Sequence, residues 1–525
     1  MKKRHLAILM AAALTLGMAG CGKKAEDVSG DKETVTESSE EDNTDEEKED
    51  TEDLADDEDA GELDDDTKTE SSAAPTLLFT TKYYDSGDNY QYVYGKYDVG
   101  EITGEEYSEL KTAVNSWFAD YETNYNTMVE KSIEDAKMQA EDMGDDFYPY
   151  SYEYKANAAR LDGNVTSIVL DEYTYQGGAH GYDGLYGITF DTKTGKELDF
   201  SDLGDIRETV RGYLDEQIQE MREEGGSFEF YEDNIDTILE NPVWYLDGIG
   251  LAIVFNAYEI GSYAEGRTVI TVPYNQMSGF NEAYQVTGES MFAQLFPGSP
   301  AEIDVNGDDV LENVEIYSEY DDNGETTLSA KVNDLSLELG TCSYLLNAYY
   351  AKCDNGRSFM LVSCDMMSDD YGAFLVELTD GTPKLCETSY VGSVNSMSSA
   401  GVTLSGNVNV LGTYSGVRAY SFAEGSFVPE GERFTLLNDK NAQYRRGPVL
   451  KDSLTVQIEE DGSMVEKELP AGTKIYPVNT DGESVAGFEL EDGTYGEITF
   501  ERQEYVIYIN GISEDDLFEE LPYAG

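Results

Sequence analysis

The segments Asn164-Val-Thr-Ser-Ile-Val-Leu170 and Gly184-Leu-Tyr-Gly-Ile-Thr-Phe190 set the architecture of the first folded region. Each is short and rich in β-branched, aliphatic and aromatic residues, which is typical of a β-strand. Between them stands Tyr173-Thr-Tyr-Gln-Gly-Gly-Ala-His-Gly181, whose adjacent glycines indicate a loop. We therefore expect two strands separated by a glycine-rich loop.

On either side of these strands, apolar residues recur with the spacing of a helix rather than that of a strand. This mixture predicts an α+β domain over residues 76–297. Upstream, apolar side chains recur every three or four residues, the spacing of an amphipathic helix. Downstream, residues 205–222 form a second helical pattern, and three strand-like segments close the domain. Aromatic stripes can bind sugars, but packing in the core is the interpretation we favour for the first helix. Its stripe consists of Tyr107, Leu110, Val114, Trp117, Tyr121, Tyr125 and Met128.

Three motifs occur in this region in a defined order. They are Tyr175-Gln-Gly-Gly-Ala-His-Gly181, Phe190-Asp-Thr-Lys-Thr-Gly-Lys-Glu-Leu198 and Phe255-Asn-Ala-Tyr-Glu-Ile260, the last followed by Tyr263-Ala-Glu-Gly266 and Val272-Pro-Tyr274. The set resembles the extracellular region shared by the lysozyme-sensing anti-sigma factor RsiV and the peptidoglycan deacetylase PdaC. The resemblance implies a noncatalytic envelope module, which in some members is a receptor for cationic lysozyme.

Outside this region the sequence departs from both relatives. A signal segment stands where the anti-sigma factor has a transmembrane helix, and no sigma-binding segment is recognised. His180 is the single histidine beyond the signal segment, so no Asp-His-His metal set of a deacetylase can be assembled. We therefore expect neither anti-sigma signalling nor deacetylation.

Residues 1–20 predict a lipoprotein signal peptide. The basic start Met1-Lys-Lys-Arg-His5 precedes an apolar run that is too short to span a bilayer. The following Met18-Ala-Gly-Cys21 resembles the bacterial lipobox, in which the cysteine becomes the acylated first residue. We expect acyl chains such as palmitate on Cys21 to anchor the protein at the extracytoplasmic face of the cell membrane.

Residues 21–75 predict a disordered acidic linker. They lack aromatic side chains and nearly lack large aliphatic ones, so they cannot bury enough surface to offset chain entropy. Repulsion between like charges extends such a segment. A spacer that holds the domains away from the membrane is the favoured interpretation, and a specific interaction tail is the alternative.

The charge of the chain restricts its partners. With 34 basic and 108 acidic residues the formal net charge is −74, and the acidity continues into the folded regions. Nucleic-acid binding requires clustered Lys and Arg, so we expect no nucleic-acid partner. Cationic proteins and divalent ions are compatible with such a surface.

The loop containing Gly177, Gly178 and His180 is the candidate ligand-binding element. Adjacent glycines permit unusual backbone angles and the close approach of a ligand. His180 is either a ligand contact or pH-sensitive switch, or a structural loop residue bonded to backbone, and we favour the second interpretation. A lone histidine without an oriented partner is a poor candidate for catalysis.

Residues 298–440 predict an all-β domain, because short alternating runs are separated by turn residues. The domain opens with a candidate Ca²⁺ loop that resembles those of propeller-type repeats, in which oxygen ligands recur at alternate positions. Asp309 departs from the pattern, since glycine normally makes the sharp turn there, and an acidic turn is the equal alternative. The candidate ligands are Asp304, Asn306, Asp308, the Val310 carbonyl and Glu312.

Residues 441–525 predict a small β domain resembling a bacterial SH3-type barrel, since short strands alternate with glycine turns. Such barrels bind peptidoglycan or peptides, and a structural end cap is the alternative.

Four cysteines follow Cys21 and permit two disulfides, with the connectivity open. A two-residue turn at Asn355-Gly356 would set Cys353 opposite Ser358 and Cys364 opposite Asn347, which disfavours a bond between Cys353 and Cys364.

Three classes of function remain open. The favoured one is a noncatalytic binding or sensing protein of the cell envelope, with peptidoglycan or a cationic protein such as lysozyme as its ligand. A carboxylate-dependent envelope hydrolase is the second, although no particular pair of carboxylates can be nominated. A structural lipoprotein of an envelope assembly is the third.

Overall fold

The structure is a computed structural model, and it describes residues 74–523 except 104–105, 226–233, 264–265, 287–289, 309, 321–324, 368–369, 400, 439–444 and 504–505. The predicted signal peptide, Cys21 and the linker up to residue 73 lie outside the described residues. The described part of the chain is mostly β, with several sheets and a few helices.

A five-stranded sheet and a long helix form the first part of the structure. The strands are β1 Thr76–Tyr83, β2 Val93–Thr103, β3 Tyr150–Leu161, β4 Val165–Tyr175 and β5 Tyr182–Asp191, arranged in chain order. Helix α1, Ser108–Met143, connects β2 to β3, which pair in parallel, while the other pairs are antiparallel. The predicted helix and the two strands around the glycine-rich loop are therefore confirmed.

The aromatic stripe of α1 packs against the sheet. The Tyr121 and Tyr154 rings lie 6.3 Å apart, and the Tyr125 hydroxyl donates to the Tyr152 carbonyl at 2.7 Å. All four tyrosines are buried, and burial raises the pKa of Tyr121 and Tyr154 well above its ordinary range. The stripe thus contributes to the core, as favoured from the sequence, because its rings pack against the rings of β3 and the Tyr125 hydroxyl has a backbone partner.

A second, three-stranded sheet covers the other face of the first one. It comprises β6 Val243–Leu246, β7 Gly250–Phe255 and β8 Thr268–Pro273. Helices α2, Arg207–Gly225, and α3, Ile235–Glu240, pack on its outer side through one apolar cluster. The two sheets approach closely at Gly187 of β5, where a Cβ would overlap the Trp244 carbonyl of β6. The α+β domain therefore has four layers, with the helices outermost.

Arg160 of β3 ties these layers to the segment that follows β8. Its side chain is 2% exposed and bonds to Asp162, to the Tyr274 hydroxyl and to the carbonyls of Tyr284 and Gln285. A buried guanidinium is tolerated only where its donors are satisfied, so these contacts hold the segment in place.

Two sheets packed face to face follow as a β-sandwich with a common apolar core. The four-stranded sheet has the order β10-β11-β12-β13 and the five-stranded sheet the order β17-β16-β15-β14-β9. The strands are β9 Met291–Leu295, β10 Ala301–Ile303, β11 Glu312–Tyr320, β12 Thr326–Val332, β13 Leu335–Cys342, β14 Tyr344–Lys352, β15 Ser358–Met367, β16 Asp370–Glu377 and β17 Lys384–Ser389. Strand β9 precedes the predicted boundary at residue 297 and pairs with β14 beyond it.

The predicted hairpin between β14 and β15 is present, but the predicted register is wrong. Lys352, not Cys353, pairs with Ser358, and Cys364 pairs with Leu345. The loop contains three residues rather than two, because the Cys353 N–H donates to the Arg357 carbonyl. Gly356 has a φ of 78°, the left-handed conformation that such a loop requires.

The C-terminal part contains a nine-stranded sheet of order β18-β19-β20-β21-β25-β26-β27-β23-β24 and two small sheets, β22-β31 and β28-β29-β30. Its elements are β18 Ser393–Met397, β19 Gly401–Asn409, β20 Thr413–Ser421, β21 Val428–Leu436, β22 Val449–Leu450, β23 Leu454–Glu460, β24 Ser463–Leu469, β25 Tyr476–Thr480, β26 Val485–Glu489, β27 Tyr495–Thr499, β28 Glu501–Gln503, β29 Val506–Ile509, β30 Ile512–Ser513, helix α4 Glu514–Leu517 and β31 Phe518–Glu519.

Strand β21 pairs with β25, so one sheet runs across the predicted boundary at residue 440. The described strands beyond this boundary do not close into a barrel, and the SH3-like assignment stays a prediction.

In the part of the chain that the structure describes, no helix combines the length and the apolar character needed to cross a bilayer.

Candidate functional site

The glycine-rich loop lies between β4 and β5, at one end of the five-stranded sheet. Gly177 and Gly178 have φ values of 85° and 98°, which confirms the expected unusual backbone angles. A Cβ on Gly177 would also collide with the Gln139 side chain of α1. The loop therefore turns tightly against α1 and leaves His180 exposed at its tip.

His180 is held by backbone and by two aromatic rings. Its Nδ1 lies 2.9 Å from the Gly181 carbonyl, which can only accept, so Nδ1 carries the proton. Nε2 lies 3.2 Å from the Tyr258 hydroxyl, which donates to it when the ring is neutral. The His180 ring stacks on Tyr263 with centroids 3.7 Å apart. The backbone bond agrees with the favoured interpretation of a structural loop residue, and the exposed ring remains accessible to a ligand.

A tight turn after β7 presents Tyr258 to this loop. The Glu259 N–H donates to the Asn256 carbonyl, and the Glu259 carboxylate accepts from the Asn256 N–H at 2.7 Å. Tyr258 lies at the turn position that glycine normally occupies, with a φ of 73°. A left-handed conformation costs a residue with a Cβ about 1–2 kcal/mol. The turn keeps this strained conformation although the Tyr258 ring is 54% exposed. Because backbone strain is concentrated at functional sites, this combination indicates a functional surface.

Asn256 fixes the position of this turn. Its side chain is 3% exposed, and it accepts from the Leu185 N–H and donates to the Leu185 carbonyl of β5. The edge of the first sheet is thereby joined to the end of β7. This pair of bonds sets the distance between the Tyr258 turn and the His180 loop.

Tyr173 extends the group of rings across the sheet. The ring covers Gly181, where a Cβ would lie 2.6 Å from it, and is 42% exposed. We refer to Tyr173, His180, Tyr258 and Tyr263 as the aromatic patch. The Tyr263 hydroxyl also donates to the Gly181 carbonyl, so the ring that supports His180 is itself anchored.

Carboxylates lie next to the aromatic patch. Tyr173 is paired with Glu153 on one neighbouring strand and with Asp183 on the other, and such directly opposed residues share a face. Arg267 binds Asp171 through two nitrogens and contacts Asp183 at 3.3 Å. Burial raises the pKa of Asp183, and Arg267 opposes that rise. Exposed rings between acidic side chains form a surface suited to a cation.

The opposite face of β4 buries a carboxyl group, Glu172. It is 1% exposed, and neither of its oxygens has a hydrogen-bond partner among the described residues. Burial, followed by the charge of Asp171, raises its pKa to about 8. Its cross-strand neighbours are Tyr154 and Gly184, and the rings of Tyr182 and Tyr186 fold over the glycine. Glu172 is therefore a neutral acid in the core at moderate pH.

The candidate Ca²⁺ loop forms a compact acidic turn. Asp304 accepts from the N–H groups of Gly307 and Asp308, while Asn306 donates to Asp308 at 3.1 Å and to Glu312 at 3.4 Å. Val310 is exposed, and Asp309 lies outside the described residues. Elsewhere in the described ranges, as here, no three His, Cys, Asp or Glu side chains are arranged as a metal site. Calcium binding stays a prediction.

Two family models match separate parts of the chain. Residues 86–183 match the family described as "Deacetylase PdaC", and residues 200–275 match "Protein of unknown function (DUF3298)". These matches confirm a PdaC/DUF3298-like domain. The His180 loop falls within the first match and the Tyr258 turn within the second, so the aromatic patch forms where the two matched segments meet.

Two solved structures of the DUF3298 family resemble part of the chain. One is from Bacteroides fragilis, with 19% identity, coverage of 41% of this chain and 96% of that one, and a TM-score of 0.32. The other is from Pseudomonas aeruginosa, with 17% identity, the same coverage of 41% and 96%, and a TM-score of 0.28. No curated protein matches the sequence.

Sequence reasoning selected His180 but did not select its aromatic partners. Tyr258 is 78 residues from His180 along the chain, and Tyr263 is 82 residues from Gly181, the residue after it. Both tyrosines belong to the motifs that carry the family resemblance, and this membership is the feature of the sequence that could have selected them as partners of His180. No periodicity predicts the contact, because it depends on how β6–β8 pack against β5.

Proposed function

We propose that this protein is a lipid-anchored, noncatalytic binding protein of the bacterial cell envelope, held by Cys21 at the extracytoplasmic face. Its folded head binds a cationic protein such as lysozyme through the aromatic patch. The observation that carries this proposal is the cluster of exposed His180 and Tyr258 with half-buried Tyr263, which a strained backbone holds beside carboxylates.

The surroundings of the patch favour a cationic ligand over a glycan. A Lys or Arg side chain over an exposed ring gains about 0.5–1 kcal/mol, and more when it is desolvated. Glu153 and Asp183 add attraction for the same charge. The net charge of −74 accelerates encounter with a cation at long range. A wall polymer carrying carboxylate or phosphate groups would be repelled instead.

The test is calorimetric titration of lysozyme into the full chain in detergent at about 50 mM salt, with the Tyr258→Ala/Tyr263→Ala variant alongside. Removal of two rings is expected to raise Kd about tenfold, since each tenfold change corresponds to about 1.4 kcal/mol. Raising the salt concentration should weaken binding of the unaltered chain, because exposed charges are screened. Tyr390, which is 82% exposed and outside the patch, provides the matched control Tyr390→Ala.

Several results would contradict the proposal in different ways. Absence of lysozyme binding at low salt would reject the ligand, and equal affinities of the two variants would reject the patch. Retention on purified peptidoglycan without retention of lysozyme would identify the wall as the ligand. Release of soluble fragments from the wall would support the carboxylate-dependent hydrolase, and copurification of a stable partner complex would support the structural lipoprotein.

A further inference from the structure

Two buried cysteines meet in the core of the β-sandwich. Cys342 ends β13 in the four-stranded sheet and is 1% exposed, while Cys364 lies in β15 of the five-stranded sheet and is fully buried. Both belong to one apolar cluster, and the contact between their thiols lowers the pKa of Cys342 and raises that of Cys364. The two sulfur atoms therefore face each other across the interface between the two sheets. The Cys364 sulfur also lies 3.4 Å from the Met366 sulfur, and neither cysteine is disulfide-bonded in the structure.

The backbone beside the two cysteines fixes this arrangement. The Ser343 N–H donates to the Asp365 carbonyl at 2.7 Å, which joins the residues that directly follow Cys342 and Cys364. Ser343 is also the single residue between β13 and β14, where the chain passes from one sheet to the other. The cysteine pair is thus held at the corner by main-chain contacts as well as by side-chain packing.

The other two cysteines of the sandwich have no comparable arrangement. Cys353 is buried at the β14–β15 hairpin, where burial raises the pKa of its thiol to about 12. Cys386 lies on β17, with its sulfur 3.7 Å from the Lys384 carbonyl and 3.9 Å from a Glu377 oxygen. Cys386 contacts oxygen atoms, and Cys353 lies within the core at the hairpin. Among these four cysteines, Cys342 and Cys364 are therefore the pair whose thiols interact.

We infer that Cys342 and Cys364 form a disulfide that closes the corner between the two sheets of the sandwich. This assignment selects one bond among the pairings that the sequence left open. It also leaves Cys353 unbonded to Cys364, a pairing that the sequence disfavoured.

The bond forms by exchange with an exported thiol–disulfide oxidoreductase, or with oxidised glutathione in vitro. The Cys342 thiolate attacks one sulfur of the oxidant's disulfide, and the second oxidant sulfur leaves and takes up a proton. The Cys364 thiolate then attacks the Cys342 sulfur and releases the first oxidant sulfur as a thiol. The two cysteines lose two electrons and two protons, and the oxidant's disulfide becomes a dithiol.

The order of folding and oxidation follows from burial. An oxidant cannot reach sulfur atoms that are almost completely covered, so exchange precedes closure of the sandwich. Afterwards the same burial protects the bond from reduction in the folded chain.

Disulfide mapping tests the inference directly. The full chain is isolated from the envelope, denatured in an alkylating agent and digested without reduction. Mass spectrometry is expected to find one peptide pair joining Cys342 to Cys364, with Cys353 and Cys386 alkylated. Alkylated Cys342 and Cys364, or a bond from either one to another cysteine, would overturn the inference.

Thermal melting provides a second readout. A chain that has been unfolded, reduced and refolded in a strong reductant should melt about 5 °C or more below the untreated parent, because the bond restricts the unfolded chain. The Cys353→Ala/Cys386→Ala variant should show the same shift, and the Cys342→Ala/Cys364→Ala variant none. Equal shifts in both variants, or no shift in the parent, would contradict the bond.

Discussion

Glu172 is buried in surroundings that disfavour its ionised form. Its oxygens face the rings that α1 and the neighbouring strands contribute, and the Glu172 charge in turn raises the pKa of Tyr121, Tyr154 and Tyr186 after the effect of burial. The folded chain therefore keeps one proton that the unfolded chain has released, between the ordinary pKa of a glutamate near 4.5 and the folded value of about 8.

This difference predicts how stability depends on pH. The contribution of protonated Glu172 is fully present below pH 4.5, and it is lost as the pH rises through the folded pKa of about 8. Glu172→Gln keeps the shape but cannot ionise, so it should match the parent at about pH 4 and exceed it by about 2 kcal/mol or more at about pH 8.5. Guanidinium unfolding at both pH values measures this, with exposed Glu466→Gln as the control. Parallel pH profiles of the parent and Glu172→Gln would contradict the assignment.

At the scale of elements, short turns position the candidate sites. The Asn256–Glu259 turn presents Tyr258, and the three-residue hairpin loop at Gly356 shifts the register of β14 against β15. Strand character was evident from composition, whereas the residue that takes the left-handed position in each turn was not. A register change of one residue alters every cross-strand partner, which is why the predicted neighbours of Cys364 were wrong.

The acidic loop before β11 carries its own prediction. We expect about 1–5 mM Ca²⁺ to raise the Tm by a few degrees, since a ligand that binds only the folded chain stabilises it. Asp304→Ala should abolish the Ca²⁺-dependent increase. Asp481 holds a comparable turn by accepting from Glu483 and Ser484, so Asp481→Ala is a matched control that should keep the increase. A parent melting curve that Ca²⁺ leaves unchanged would reject the site.

At the scale of the whole molecule, the proposed N-terminal anchor would determine where the folded head works. Cys21→Ser removes the thiol that we propose is acylated, and we expect the protein to move from the membrane fraction to the soluble extracytoplasmic fraction, because stable attachment needs acyl chains. Fractionation with antibody detection measures the distribution, and Cys386→Ser serves as a cysteine control that should stay with the membrane. Membrane retention of the Cys21→Ser variant would contradict the lipoprotein assignment.

The sequence by itself determined features that depend on nearby residues or on composition. The spacing of Leu110, Trp117 and Tyr125 predicts α1, and the runs around residues 164 and 190 predict β4 and β5. Adjacent glycines predict the loop at residues 177 and 178, and three motifs indicate a PdaC-like domain, which the family matches support. These inferences succeed because helix period, strand composition and backbone freedom are local properties.

Only the tertiary structure decided which distant residues meet. His180 and Tyr258 come together because Asn256 bonds to Leu185 and the second sheet packs against the first at Gly187. Cys342 and Cys364 meet because two sheets stack across one apolar core. Such contacts depend on sheet packing, loop length and register together, and a small change in any of them selects different partners.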